Sequence, residues 1–275
     1  MGGGIRNNEI TFSDFLLKRM KSIYPIYLFG EITCLGVLIY RQGIRAFTFQ
    51  DFLFDIMMVR TGWLYDDWTY NAVGWFACIL VLCYILFFVL CRISVRFDVN
   101  IIYLVILMIV VGCCLQNRPL NLPFLYGHNG DGLFNFFVGG LLALLVDMRK
   151  FISSREATLI LCGFAIVWLL FEKVLGCADF MGRSHIIFTL FLLPLVFMSA
   201  TNGVIKMVSG LLSPLGIISK QLCFLHMPVY LIFRIIFPSN YILGPGTSYA
   251  LYFFTLMVVC LTVYYLEKLL FKRIA

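Results

Sequence analysis

The sequence is poor in charge: Asp, Glu, Lys and Arg make up only 13% of its 275 residues. A soluble domain carries about a quarter charged residues, because its whole surface faces water. Here 62% of the residues are hydrophobic, and 28 Phe and 14 Tyr accompany only four Trp. A water-soluble fold cannot cover that much apolar surface, whereas a lipid bilayer is itself apolar. The composition predicts an integral membrane protein.

The motifs of many soluble enzymes and metalloproteins are also missing. The chain has no GxSxG, HExxH, GxxxxGK[ST] or GxGxxG motif, each of which marks a well-known catalytic, metal-binding or nucleotide-binding segment. It has three His, and its ten Cys show no CxxC spacing and lie mostly within apolar runs. We therefore expect no metal site, and we expect most of the cysteines to be small packing residues.

The net charge of +7 does not indicate nucleic-acid binding. The cations stand at the ends of apolar segments, where the positive-inside rule places them, and not on one soluble face. The first 22 residues are polar and basic without an apolar core. We therefore expect no nucleic-acid partner and no cleavable signal peptide.

A spanning helix needs about 20 mostly apolar residues. Eight such stretches are visible, at residues 23–40, 73–91, 99–116, 131–147, 157–175, 184–200, 215–236 and 248–267. This assignment puts twice as many Lys and Arg residues on one side of the membrane as on the other, and both termini lie on that side. The sequence thus predicts one all-α domain over 1–275, a polytopic membrane bundle of about eight transmembrane helices with both termini in the cytoplasm.

The connection between the first two spans, residues 41–72, is unusually long. Its 47–60 part has one apolar helical side, made of Phe49, Phe52, Leu53, Ile56 and Met57. That pattern predicts an amphipathic helix in or on the outer leaflet. Residues 61–72 are aromatic and acidic, and include Asp66, Asp67 and Trp68. They suit either an interfacial belt or the wall of an external cleft that receives a sugar.

Few ionisable residues fall at membrane depth, where a charge is costly and therefore indicates function. Glu31 lies within the first span, and we expect it to face the bundle or a wet cavity. His226 lies in the seventh span and is either a general base or a histidine satisfied inside the bundle. In the outer loop YGHNGDG, His128 is a further candidate, while Asp131 either caps the fourth span or contacts a substrate.

Three cations, Lys18, Arg19 and Lys21, precede the first span. They are ordinary topology signals, or they form an anion site for a phosphorylated cytoplasmic donor, because Lys and Arg bind phosphates well.

Three stretches of the chain resemble the membrane acyltransferase-3 family, the bacterial multi-pass O-acyltransferases of surface polysaccharides. FLLKRMKSIYPIY at 15–27 is similar to the family's basic segment with its Ile-x-Pro-x-Tyr helix start. NAVGWFACILVLCYILFFVL at 71–90 is like its Trp-bearing helix, and LSPLGIISKQLCFLHMPVYLIF at 212–233 is close to its Gly-x-x-Ser and His-x-Pro segment. FNFFVGGLLALL at 134–145 also resembles a family helix.

The resemblance implies transfer of an acyl group, acetyl by expectation, from acyl-CoA to a hydroxyl of a cell-surface polysaccharide or glycolipid. It places the protein in the bacterial plasma membrane, with lipid and a surface glycan as partners. Acetyl-CoA would dock at Lys18, Arg19 and Lys21, and no metal is implied. The catalytic candidate is His226, and the expected acceptor contacts are Glu31, Asp66, Asp67, Trp68, Trp75, His128 and Asp131.

The chain departs from the family pattern in places. Family members usually begin with two further helices, the first of which carries a His thought to drive acyl transfer. Lys220 stands where the family usually has Tyr, and Ser22 replaces its second Arg. We therefore expect an N-terminally incomplete domain, with the missing helices possible in a partner or oligomer. The alternatives are a non-catalytic remnant or partner subunit, and a transporter or flippase of lipid-linked glycans.

Overall fold

The computed structural model of the chain describes residues 10–147, 210, 213–237 and 244–272. Its helices are α1 (Phe12–Gln42), α2 (Phe49–Ile56), α3 (Gly74–Arg96), α4 (Ile101–Asn117), α5 (Gly127–Asp147), α6 (Ser219–Ile236) and α7 (Gly244–Lys272). Residues 213–217 are helical as well, and no strand occurs in these ranges. The prediction of an all-α protein is confirmed.

The chain divides into two compact units, Met1–Phe136 with Ile217–Ala275, and Phe137–Gly216. The first unit contains α1 to α4, α6, α7 and the N-terminal part of α5, and it carries every contact described below. The predicted spans 157–175 and 184–200 lie outside the described residues. Neither the count of eight spans nor the orientation of the termini is tested, and both stay predictions.

Within the described part of the chain, three helices are long and apolar enough to cross a membrane, namely Phe12–Gln42, Gly74–Arg96 and Gly246–Leu269. Ile101–Gln116 is apolar but shorter. The apolar outer surface includes side chains such as Phe253 and Phe254, which are more than half exposed. A bilayer accounts for such a surface, since lipid tails replace the protein core as the apolar partner. The chain is a membrane protein.

Helix α1 begins earlier than the apolar run predicts. The Thr11 hydroxyl caps the helix by accepting a hydrogen bond from the Asp14 amide at 3.2 Å. The basic first turns are then held by aromatic packing, since the Phe15 ring lies 6.2 Å from that of Tyr84 and 5.7 Å from that of Phe88 in α3. The hydropathy pattern does not predict this start, because only one face of these turns packs on the bundle and the other face is mostly polar.

One end of the unit gathers basic side chains, and we call it the basic end. The Lys220 Nζ donates to the Ser22 carbonyl and to the Glu267 carboxylate, each at 2.9 Å. Gln221 donates to the same carboxylate at 2.8 Å. The start of α6 and the end of α7 are thereby fixed beside Lys21. Residues 57–73 and 118–126 lie at the opposite end, which we call the loop end.

Helix α2 confirms the predicted amphipathic helix and shows which side faces inward. Phe49 and Met57 are 70% and 60% exposed, whereas Asp55 is 1% exposed. Asp55 Oδ2 accepts from Arg60 and from the Tyr70 amide, both at 3.2 Å, and its carbonyl accepts from the Tyr27 hydroxyl at 2.7 Å. The acidic side therefore packs on the bundle, and the apolar side is left for lipid.

A junction of α1, α3, α6 and the loop before α3 lies deep in the unit. Gly30 makes it possible: a Cβ there would lie 2.7 Å from Asn71 Nδ2 and 3.0 Å from the Phe224 carbonyl oxygen. Asn71 Nδ2 donates to that carbonyl at 3.0 Å. Only a residue without a side chain lets α1 approach α6 so closely.

Gly30→Ala is expected to destabilise the folded protein by about 1–3 kcal/mol, because the new methyl overlaps the Asn71–Phe224 hydrogen bond. Gly36→Ala is the matched control in the same helix, since nothing lies within 4 Å of its Cβ position. It should be neutral or stabilise by up to about 1 kcal/mol through helix propensity. The apparent Tm in detergent measures both, and equal Tm values would contradict the close approach at Gly30.

Burial raises the pKa of Asp55 to about 6, a larger effect than the opposing one of Arg60. The folded protein then holds this proton more tightly than the unfolded chain does. The contribution of Asp55 to stability is complete below about pH 4 and is lost as the pH rises through about 6. Asp55→Asn should flatten the decline of apparent Tm between these values. Asp51→Asn, which changes a more exposed partner of Arg60, is the control; an unchanged slope in Asp55→Asn would refute this role.

Candidate active site

Four of the predicted acceptor contacts meet at the loop end. His128 Nδ1 lies 2.9 Å from Asp66 Oδ1, and the two side chains are 22% and 24% exposed. The Trp68 ring packs edge-on against the imidazole, and the Trp75 ring packs at 47° to it, each with ring centroids 5.1 Å apart. We call His128, Asp66, Trp68 and Trp75 the His128 cluster.

The backbone that carries the cluster is fixed by hydrogen bonds between two loops. Asn129 Nδ2 donates to the Gly62 carbonyl at 2.8 Å, and the Tyr126 hydroxyl donates to the Leu64 carbonyl at 2.9 Å. The Phe124 amide donates to the Trp63 carbonyl at 3.0 Å. The 61–68 loop is thereby tied to the start of α5, which brings Asp66 to His128.

Gly62 is required at the turn of this loop. Its φ of 77° lies in the left-handed region that favours glycine. A Cβ there would also lie 2.9 Å from Asn129 Nδ2 and from an Ile79 side-chain carbon. The Gly62 amide donates to the Tyr65 carbonyl at 2.8 Å, which closes the turn just before Asp66.

Two other predicted contacts are placed differently. Helix α5 begins at Gly127, four residues before the predicted start, so Asp131 lies inside the helix, and the interpretation of Asp131 as its cap is wrong. Asn129 satisfies the helix start, accepting at Oδ1 from the Tyr126 amide at 3.2 Å. Asp67 contributes its backbone carbonyl, which accepts from the Thr61 hydroxyl, while its side chain is exposed.

Glu31 is 3% exposed and faces the bundle, as its position predicts. Its Oε2 accepts from the Asn71 amide at 2.8 Å. Its Oε1 lies against Gly74, where a Cβ would overlap it. Glu31 therefore holds the turn that leads from the 61–68 loop into α3 and Trp75. This is a positioning contact that the sequence does not reveal.

The three predicted donor-binding cations lie at the basic end, on the first turns of α1. Lys18 and Lys21 are exposed. Arg19 is partly buried, and its guanidinium carbon lies 5.6 Å from the Phe15 ring centroid and 5.7 Å from that of Tyr84. Such packing fixes the direction of one cation while the two lysines remain open to a solute.

His226 lies in α6, away from the His128 cluster in sequence and in its contacts. Its Nδ1 is 2.8 Å from the Cys223 carbonyl and 3.1 Å from that of Leu222, both in its own helix. Donation to these carbonyls makes Nε2 the basic nitrogen. The His226 carbonyl in turn accepts from the Tyr252 hydroxyl at 3.0 Å, which links α6 to α7.

An apolar cavity of about 420 Å³ lies among α1, α6 and α7. Its lining includes Phe29, Leu225, Val229, Phe233 and Val259. Such walls suit hydrocarbon and do not suit a nucleotide or a sugar, whose polar groups would lose their hydrogen bonds there.

Sequence reasoning missed three residues on which this arrangement depends. Arg60 pairs with the buried Asp55, Asn71 joins Glu31 to the Phe224 carbonyl, and Asn129 joins the two loops. The usable signal for the asparagines is their position: each is a polar side chain next to an apolar helix start.

No curated protein and no solved structure matches the chain. The family described as "Acyltransferase domain", acyltransferase 3, matches residues 5–266. The match extends from the basic segment through the loops of the His128 cluster to the last turns of α7. The chain belongs to the acyltransferase-3 family of membrane acyltransferases.

Proposed function

We propose that the protein transfers an acyl group, acetyl in the first instance, from acyl-CoA to a sugar hydroxyl of a cell-surface polysaccharide or glycolipid in the bacterial plasma membrane. The observation that carries the proposal is the His128 cluster, a His–Asp pair between two Trp rings at the end of the unit opposite the basic segment. Family membership supplies the acyl transfer.

The His128 cluster suits a sugar acceptor. Trp68 is 58% exposed, so its ring face is available for the C–H side of a pyranose. The Asp66 carboxylate and the imidazole Nε2, the nitrogen that does not contact Asp66, accept hydrogen bonds from hydroxyl groups. An aromatic platform with a few polar groups at its edge gives orientation as well as affinity.

The basic end suits the donor. Lys18 and Lys21 are exposed on consecutive turns of α1, and the guanidinium of the neighbouring Arg19 packs on the Phe15 and Tyr84 rings. Phosphate groups of a CoA ester would be neutralised there. The proposed donor and acceptor therefore bind at opposite ends of the same helices.

The separation between the ends is shorter than a whole bilayer. Glu31 is ten residues beyond Lys21, which is about 15 Å along α1 at 1.5 Å per residue. The loop residue Asn71 contacts Glu31 at that depth. The acyl group would thus cross about half the membrane before it meets the segment that leads to Trp75. His226 and its Nε2 remain a candidate for supporting proton transfer on this path.

The proposal predicts that these 275 residues restore O-acetylation of surface polysaccharide in cells that lack the native gene, measured as acetate released by mild alkali. Combined Lys18→Ala, Arg19→Ala and Lys21→Ala should weaken acetyl-CoA binding at least tenfold, since one charge-assisted hydrogen bond contributes about 1.5–3 kcal/mol. Binding is measured calorimetrically in nanodiscs.

Lys268→Ala is the control, because it removes an exposed cation near the same end but outside the basic segment. It should leave acetyl-CoA binding within about twofold, the scatter expected for a surface change. Unchanged binding in the triple variant would refute the donor site. No acetylation by folded, membrane-inserted wild type would instead favour a non-catalytic member of the family.

A further inference from the structure

We infer that His128, oriented by Asp66, is the general base that takes the proton from the acceptor hydroxyl. This inference rests on the proposed acyl transfer and adds the residue that activates the nucleophile. It differs from the expectation drawn from the sequence, in which His226 is the catalytic candidate and His128 only contacts substrate.

The pair has the geometry that a general base needs. With Asp66 Oδ1 at 2.9 Å, the Nδ1–H of the ring donates to the carboxylate, and Nε2 becomes the basic nitrogen. The carboxylate also stabilises the imidazolium that forms when Nε2 takes a proton. A side chain that orients the base in this way is a recurring arrangement in acyl transfer.

The surroundings of the ring place an acceptor next to Nε2. Trp68 and Trp75 pack on the imidazole from two sides, so the ring is held in one orientation. It is 22% exposed, which leaves it accessible to a sugar yet partly shielded from water. A sugar on the exposed face of Trp68 would bring a hydroxyl within reach of the same ring.

Contacts other than the pair already hold this junction. Asn129 satisfies the start of α5, and Asn129 together with Tyr126 ties the two loops together. A His–Asp pair added to a junction that is already held suggests a chemical role. By contrast, the Nδ1 of His226 is directed to carbonyls of its own helix and not to a carboxylate.

The proposed step is balanced without any redox partner. The acceptor hydroxyl loses its proton to Nε2 while its oxygen forms a bond to the acyl carbon of the thioester. The carbon–sulfur bond then breaks, and the departing thiolate takes the proton from Nε2–H. The products are the sugar ester and the free thiol, and His128 returns to its neutral form.

The test compares His128→Gln and Asp66→Asn with Asp98→Asn in the full chain, by acetate released from surface polysaccharide. Loss of a general base should lower acetylation by about 10²–10⁴-fold, and loss of its orienting carboxylate by about 10–100-fold. Asp98→Asn removes an exposed carboxylate at a left-handed turn that Asn also tolerates, so it should change little.

A second measurement does not depend on turnover. The imidazole lies against Trp68 and Trp75, with ring centroids 5.1 Å apart in each case. Trp emission of the purified protein at a fixed pH should therefore change in His128→Gln, and also in Asp66→Asn because the ring loses the partner that orients it. Asp98→Asn changes no residue of the cluster and should leave the emission unchanged.

The outcomes separate the two proposals. Acetylation by wild type that persists in folded His128→Gln overturns the general base and leaves the proposed function standing. Trp emission unaffected by His128→Gln overturns the geometry of the cluster. A folded, membrane-inserted wild type that never acetylates refutes the proposed function, and the catalytic role of His128 with it. Acetylation lost in both cluster variants, with Trp emission changed as described, supports the inference.

Discussion

The buried link from Glu31 to Asn71 is the constraint on which the candidate site depends. In an apolar surrounding every backbone N–H needs a partner, and the Asn71 amide finds one in Glu31 Oε2 at 2.8 Å. The Asn71 side chain donates to the Phe224 carbonyl, so one residue joins α1, α6 and the loop. Without that anchor, the segment bearing Asp66 and Trp68 would lose its hydrogen bonds to α1 and α6.

The sequence predicts a helix well where that helix consists of one continuous apolar run. The predicted spans 73–91 and 99–116 correspond to α3 and α4 within a few residues. In lipid, a continuous apolar run satisfies its backbone hydrogen bonds by forming a helix. Prediction fails at ends set by side-chain contacts. Helix α1 gains eleven residues from the Thr11 cap and from Phe15 packing, and α5 starts early, with Asn129 Oδ1 accepting from the Tyr126 amide at its start.

Pairings between distant residues could not be predicted from one sequence. His128 and Asp66 are 62 residues apart, and Asn71 and Phe224 are 153 apart. Periodicity identifies the two faces of α2 but does not predict which of them packs on the bundle. Beside a bilayer the apolar face can contact lipid, whereas in water it would have to pack inward. Composition predicts the acidic and aromatic loop either as an interfacial belt or as the wall of a sugar cleft, and both stay predictions. The neighbours of His128, however, follow from the Gly62 turn and the Asn129 hydrogen bond, which have no signature in the spacing of residues.

A transferase that works at a membrane surface must favour a sugar hydroxyl over water, and the two Trp rings bear on that choice. Both rings pack on the imidazole, with centroids 5.1 Å away, and the opening that remains leaves 22% of the His128 side chain exposed to water. A sugar stacked on Trp68 would fill that opening and deliver its hydroxyl at the same time. Exclusion of water and positioning of the acceptor would then be one event, which keeps water away from the imidazole while the sugar is bound.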